Sequence, residues 1–243
     1  MIRFVDWFSG VGGFRLGLER AGAFRCVAHS EIDAYACAVY RRHWPGSLNL
    51  GDINLVQTRT IPEADLWTGG FPCQPFSVAG KRLGADDERN LWPAWFELIR
   101  VVRPRYLLLE NVPALLADQY MLTILGDLVS CGYDADGSVV PTGAFGSHFL
   151  GERMYVFASS APTDCKRLQR GGPFNCKSGE TWSRGQLERL VELELRNAVP
   201  AGSRGRVSDG VPNRVDRLKG LGNAVVPTVV TWIGEQIKCR HSK

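Results

Sequence analysis

The stretch IRFVDWFSGVGGFRLGLERAG, residues 2–22, decides the fold. It starts with an apolar run of strand character, IRFVDWF. Glycines 10, 12 and 13 then form a loop, and Leu16, Leu18 and Ala21 mark a helix after it. Strand, glycine loop and helix in that order open a β-α unit, and the chain goes on to repeat the rhythm. FRCVAHS (24–30) reads as a second strand closed by Glu31. Residues 33–43 read as a helix with Tyr35, Val39 and Tyr40 spaced for burial. LNLGDI (48–53) reads as a short third strand and ADLWTGG (64–70) as a fourth. Leu91, Trp95, Leu98 and Val102 predict a helix over 90–102 that Pro104 ends. YLLLENV (106–112) is the continuous apolar run expected of a central parallel strand buried on both faces. A helix over 115–129 stops at Cys131-Gly132-Tyr133, and strands follow at about 134–140 and 153–159. The expected fold class is α/β, a mostly parallel sheet flanked by helices and Rossmann-like in outline.

The rhythm breaks near Ser160. Residues 160–212 are rich in Gly, Pro, Ser and Arg, with one amphipathic helix near 185–196. Periodicity returns in RVDRLKGLGNAVVPTVVTWIGEQI (214–237). Three parts are therefore expected: a body at 1–159, a small lobe at 160–212 and a segment at 213–243 that returns to the body.

The composition suits one globular body: 243 residues, 44% hydrophobic and 22% charged, with core enough to bury. No run of about 18 apolar residues is present, so no membrane span is expected. The opening MIRFVDWF lacks the basic start and apolar stretch of a signal peptide. The seven cysteines are odd in number and scattered, with no C-x-x-C pair. That argues for free thiols in a reducing, cytoplasmic protein and against a disulfide framework or a zinc ribbon. Cys165 and Cys176 have no histidine partners nearby in sequence, so no metal is expected. The net charge is +4, but twelve Lys or Arg against six Asp or Glu fall between Lys166 and Lys219. A basic segment on a slightly acidic remainder suits a polyanion partner, because neutralised phosphates release their counterions.

The glycine loop follows an N-terminal strand, where backbone can approach a ligand closely. The dinucleotide fingerprint G-x-G-x-x-G is incomplete, because its third glycine is Arg15 here. A pyrophosphate fits that loop less well than a smaller nucleoside. Glu31, at the end of the second expected strand, is placed to accept both hydroxyls of a ribose. Asp52, at the end of the third, is placed to meet an adenine amino group. Either carboxylate could instead cap a helix. Cys73 follows the fourth expected strand, within GGFPCQPFSVAG (69–80), and Glu110 ends the fifth. Strands of a parallel sheet bring such ends to one carboxyl edge. A nucleoside cofactor, a thiol on a proline-stiffened loop and a carboxylate are the set needed to alkylate carbon 5 of cytosine. A thiolate adding at C6 makes C5 enamine-like, and an acid at N3 stabilises the charge that develops. C5 can then take a methyl group from a sulfonium donor.

On these residues the chain resembles the cytosine-C5 DNA methyltransferases, of the short bacterial or phage type. The matching segments are DWFSGVGGFRLGLERAG, GGFPCQPFSVAG, LLLENVPAL, GERMYVFAS and LGNAVVPTVV, in the family's order. The resemblance implies an S-adenosylmethionine site lined by Phe8, Gly10 and Gly12. Glu31 would hold the ribose, Ile32 would pack on the adenine and Asp52 would meet its amino group. Leu91 and Asn223 would complete the pocket. It implies Cys73 as nucleophile, Glu110 at N3 and the amino group of cytosine, and Asn111 and Val112 setting the strand end. Arg153 would contact the base's O2 and orient Glu110, and Ser77 would meet backbone phosphate. Double-stranded DNA is the implied partner, with the base flipped out of the stack. A cognate restriction endonuclease acting separately is a further partner.

Residues 160–212 become the target-recognition region, with Arg167, Arg170, Arg184, Arg204 and Arg206 for phosphates and Trp182 as a candidate wedge. One departure stands out. The family usually carries Gln-x-Arg-x-Arg before the late strand, and the matching positions here are Phe149, Gly151 and Arg153, with His148 nearby. The rival readings are an RNA (tRNA) cytosine methyltransferase on the same core and a catalytically inactive DNA-binding relic.

Overall fold

The computed structural model describes residues 1–72, 90–117, 119–145, 151–160 and 224–241. Cys73, Ser77, His148, Phe149, Asn223 and nearly all of the expected lobe, with its helix at 185–196, lie outside the described residues.

One sheet of six strands organises the described residues, in the order β2-β1-β3-β4-β6-β5. The strands are β1 (Ile2–Trp7), β2 (Phe24–Ser30), β3 (Leu66–Gly69), β4 (Tyr106–Asn111), β5 (Asp134–Pro141) and β6 (Glu152–Ser159). The first four are parallel, while β6 runs antiparallel to both β4 and β5. β2 lies on one side of β1 and β3 on the other, so the chain reverses direction across the sheet at β1. That reversal is the switch point at which open α/β sheets bind ligands.

Alternation along the strands separates two cores. Ile2 and Phe4 of β1, Leu66 of β3, Leu108 of β4 and Phe157 of β6 face helices α1 (Gly13–Ala21) and α5 (Pro227–His241). Val5 and Trp7, Trp67, Leu107 and Leu109 face α3 (Trp92–Val102) and α4 (Gln119–Ser130). Burial on both faces explains the unbroken apolar run of β4, all six residues of which are buried. Trp67, Trp92 and Trp95 are core residues. Cys26 is buried in β2.

Local chemistry sets the helix ends. α1 starts after Gly12, at φ +94, and ends at Gly22, at φ +74, both conformations that suit glycine. It packs so tightly on α5 that a Cβ at Gly17 would lie 2.5 Å from Cβ of Val230. Lys238 of α5 donates to the carbonyl of Ala21 at 2.8 Å, a cation at the negative end of α1. α4 stops as the sequence predicts. Gly132 takes φ +77, its N–H reaches the Val129 carbonyl at 2.8 Å, and the N–H of Tyr133 reaches Leu128 at 3.0 Å.

Three expectations need correction. Residues 48–53 form no strand. They share one isolated bridge, His29 with Asn49, before the chain turns at Gly51, φ +75. The Asn49 amide takes over, accepting from the N–H of Glu31 and Gly51 and donating to the Glu31 carbonyl. The helix expected over 115–129 is split into a 3-10 turn, Pro113–Ala117, and α4. α2 (Ala34–His43) is present, but it buries Ala36 and Tyr40 and leaves Tyr35 and Val39 half-buried. No helix among the described residues is long and apolar enough to cross a membrane.

Candidate active site and cofactor cleft

β1 delivers the glycine loop to the switch point. Phe8 and Gly10 hold φ +52 and +54, a left-handed run that costs an aromatic residue strain. The Phe8 ring is held edge-on against Trp95, with centroids 5.5 Å apart. Behind the loop a Cβ at Gly12 would overlap the Trp44 ring. The guanidinium of Arg15 lies 4.7 Å from that ring's centroid and pairs with Glu19 at 2.9 Å. Arg15, read in sequence as the missing third glycine, thus braces the loop from behind. That role, and that of Trp44, are absent from the sequence reading.

The Glu31 carboxylate closes the loop's open side. One oxygen accepts from the N–H of Gly10 at 2.8 Å, and the other accepts from Ile32 and Asp33 at 2.8 and 2.7 Å. Ile32, beside it, is 68% exposed, although aliphatic. Asp52 caps the 3-10 turn Ile53–Leu55, accepting from the N–H and side-chain amide of Asn54, each at 2.9 Å. Asp52 is thus the N-cap of that turn, the alternative role that its sequence position allows. For α2 the cap is Asp33, not Glu31. Leu91 is the half-buried cap residue of α3.

On the other side of β1, β3 runs into Gly70, Phe71 and Pro72, the approach to Cys73. Phe71 is buried against Trp92 and Trp95, and its carbonyl accepts from the Asn111 side chain at 3.2 Å. Asn111 therefore ties the end of β4 to the cysteine-bearing chain, which is more than setting a strand end.

Glu110 and Arg153 come together as expected. Arg153 Nε is 3.0 Å from Glu110 Oε1, with the two side chains 15% and 10% exposed. Burial pushes the Glu110 carboxyl up from 4.5 to about 7, and the Arg153 charge pulls the other way. Opposite Glu110 on β6 is Tyr155, fully buried, whose hydroxyl has no partner among the described residues. Below this pair, Thr68 donates to Oδ1 of the fully buried Asp6 at 3.0 Å. Burial raises Asp6 to about 8. The sequence reading passed over Asp6, although a carboxylate inside an apolar strand is itself a signal. The chain just past Asn223 passes close to both the start of α1 and Gly70: a Cβ at Gly13 would overlap the Val225 carbonyl, and one at Gly70 would lie 3.8 Å from the Val225 side chain. The carboxyl edge of the sheet thus carries a carboxylate at the end of β2, an exposed aliphatic residue beside it and, at the end of β4, a buried acid paired with a cation.

Residues 2–200 match the model of the family described as C-5 cytosine-specific DNA methylase. The Type II methyltransferase M.HgiCII of Herpetosiphon aurantiacus is 39% identical over 161 residues, 63% of this chain and 36% of its own. The Type II methyltransferase M.NgoBI of Neisseria gonorrhoeae is 40% identical over 164 residues, 66% of this chain and 51% of its own. The chain thus spans between about a third and a half of the length of these relatives. The crystal structure of a Spodoptera frugiperda DNMT2 mutant has the same fold, with a TM-score of 0.58 at 23% identity over 67% of this chain and 51% of that one.

Proposed function

We propose, from the premise that the chain belongs to the family of C-5 cytosine-specific DNA methylases, that it transfers a methyl group from S-adenosylmethionine to carbon 5 of cytosine in double-stranded DNA. The observation that carries this reading is the Glu110–Arg153 pair at the end of β4. A carboxyl with a pKa of about 7 retains much of its proton at neutral pH. It can donate to N3 of cytosine while its second oxygen accepts from the amino group. Arg153 holds one oxygen in place and balances the charge left when the proton moves toward the ring.

Cys73 is the nucleophile of this reading. Its thiolate adds to C6, and the electron pair displaced to C5 makes that carbon nucleophilic. After C5 is methylated its proton is lost to a base, and the thiolate leaves as the ring double bond returns. The support is the motif PCQPFS together with the fixed approach to it, through buried Phe71 and the Asn111 bond.

The residues present fit S-adenosylmethionine. Glu31 uses three of about four acceptor positions on the amides around it, leaving room for a ribose hydroxyl. Ile32 offers an exposed apolar surface to adenine, and Asp52 and Phe8 are assigned to the same ligand by the family resemblance. The bound cofactor supplies an electrophilic methyl on a sulfonium. Gly10, where an added Cβ would point into open space, keeps a side chain out of its way, while Gly12 leaves room for the Trp44 ring behind the loop. The base must leave the duplex to reach this crevice, at a cost of a few kcal/mol in stacking and pairing. The arginines between Lys166 and Lys219 offset that cost through phosphate contacts. A cognate restriction endonuclease acting separately is the partner such a mark would protect against.

The test is a gel-stable adduct between the protein and duplex DNA containing 5-fluorocytosine, formed with S-adenosylmethionine. The wild type should form it and Cys73→Ser should not. Labelled methyl transfer with DNA and transfer RNA in competition separates the two substrates. Transfer to RNA alone would overturn the DNA reading, and no adduct on either would leave a binding relic.

A further inference from the structure

The backbone ladder reaches Arg153 from β5. The ladder between β4 and β6 ends at Asn111 with Met154, one residue short of it. On the other side Val140 of β5 pairs with Arg153, and Pro141 pairs with Glu152. The next residue after β5 is Thr142, fully buried, at the mouth of the hairpin. Its N–H and its hydroxyl both donate to the Gly151 carbonyl at 2.8 Å, and the hydroxyl accepts from the Gly151 N–H at 3.2 Å. One side chain thus engages both backbone groups of Gly151, using one donor and one acceptor of its hydroxyl. Gly151 is also the position where the family pattern puts its first arginine.

We infer that Thr142 is a positioning residue of the reaction: by clamping Gly151 it sets where Arg153 meets Glu110. The inference rests on the role proposed for Glu110. Without the hydroxyl, Gly151 is held by the Thr142 N–H alone, and the 3.0 Å contact made two residues further on loosens. Among the described residues, Arg153 of β6 is the charged group that acts on Glu110, and Tyr155, also of β6, is in turn pushed up by Glu110. Gly70 and Val225, which also approach this corner, are uncharged. Arg153 is the cation that favours the ionised carboxylate, so its withdrawal raises the proton affinity of Glu110.

The test is a carbon-13 titration of the Glu110 side-chain carboxyl, assigned by the signal lost in Glu110→Gln. Thr142→Val keeps the shape and the backbone N–H but removes the hydroxyl. Its midpoint should rise by about half to one pH unit relative to wild type. Thr142→Ser, which keeps the hydroxyl, should titrate like wild type. In methyl-transfer assays the valine variant should lose about tenfold in kcat with KM for S-adenosylmethionine unchanged. Thr142→Ala provides the same comparison should the valine variant not fold. A folded valine or alanine variant with the wild-type midpoint overturns the inference, as does a serine variant that shifts with them. A wild-type Glu110 titrating near 4.5 would instead sink the role proposed for Glu110, so the two failures are distinct.

Discussion

Replacing Glu110 with glutamine should flatten the protein's loss of stability between pH 5 and 8. Burial raises the Glu110 carboxyl from 4.5 to about 7 on folding, so over that interval the folded chain holds a proton that the unfolded chain has released. Stability then falls as pH rises, because the unfolded state binds fewer protons than the native one. The contribution is fully present below the unfolded value and is gone once pH has passed the folded one. The gap between 4.5 and about 7 corresponds to about 3 kcal/mol. The substituted glutamine carries no such proton, yet its side-chain carbonyl can still accept from Arg153, so the packing around it is retained. Asp6, raised to about 8, adds a slope of the same sign, and buried His29, lowered to about 4, adds one of opposite sign below pH 6.5. Both are present in either protein, so they cancel in the difference. Urea unfolding at pH 5, 6, 7 and 8 measures it. The wild type should lose about 2–3 kcal/mol more than Glu110→Gln across the range, somewhat less than the full gap because pH 5 already lies above the unfolded value. Parallel curves would refute the argument, because Glu110 would then have an ordinary affinity for its proton and could not serve as the acid at N3.

Two further outcomes follow from packing. Gly17→Ala places a methyl group 2.5 Å from Val230 Cβ and 2.6 Å from the Pro227 carbonyl, so α1 and α5 must separate. A loss of about 1–3 kcal/mol in chemical denaturation is expected, and a neutral result would mean that the helices are not so close. Tyr155→Phe removes a buried hydroxyl without a partner among the described residues. Stability should stay level or rise by up to about 1 kcal/mol, and a thermal-melt loss beyond that would show that the hydroxyl is bonded.

The four parallel strands and β6 were legible because they are buried in ways that composition reveals. β4 is apolar from Tyr106 to Leu109 since both faces are covered, and β1 leads into a loop whose glycines mark its end. Where the reading failed, one side chain or one turn overrode the pattern. The segment 48–53 looks like a strand, but the Asn49 side chain and the left-handed Gly51 replace the ladder that would make it one. Glu110 and Arg153 were found because each stands at a strand end in a recognisable motif. Asp6 with Thr68 was missed because the partners are 62 residues apart and neither sits in a motif loop. Thr142 was missed for a related reason: its partner lies across a hairpin whose closing geometry has no periodic signature.

The two glycines before the cysteine loop show why the motif needs both. Successive residues of a strand point to opposite faces, so Gly69 and Gly70 relieve two different contacts. A Cβ at Gly69 would lie 2.6 Å from the Trp95 ring on the α3 side. One at Gly70 would lie 2.9 Å from Glu110 Oε2 on the α1 side. The first glycine lets Trp95 close on the strand end, and Trp95 in turn holds Phe8 and Phe71. The second leaves the space in which the Glu110 carboxyl sits. A side chain at Gly70 would push that carboxyl off Arg153 while leaving the core intact, whereas one at Gly69 would displace the aromatic cluster of Phe8, Phe71 and Trp95. Glycine at 69 therefore acts on folding and glycine at 70 on the acid, although the two are neighbours in a single motif.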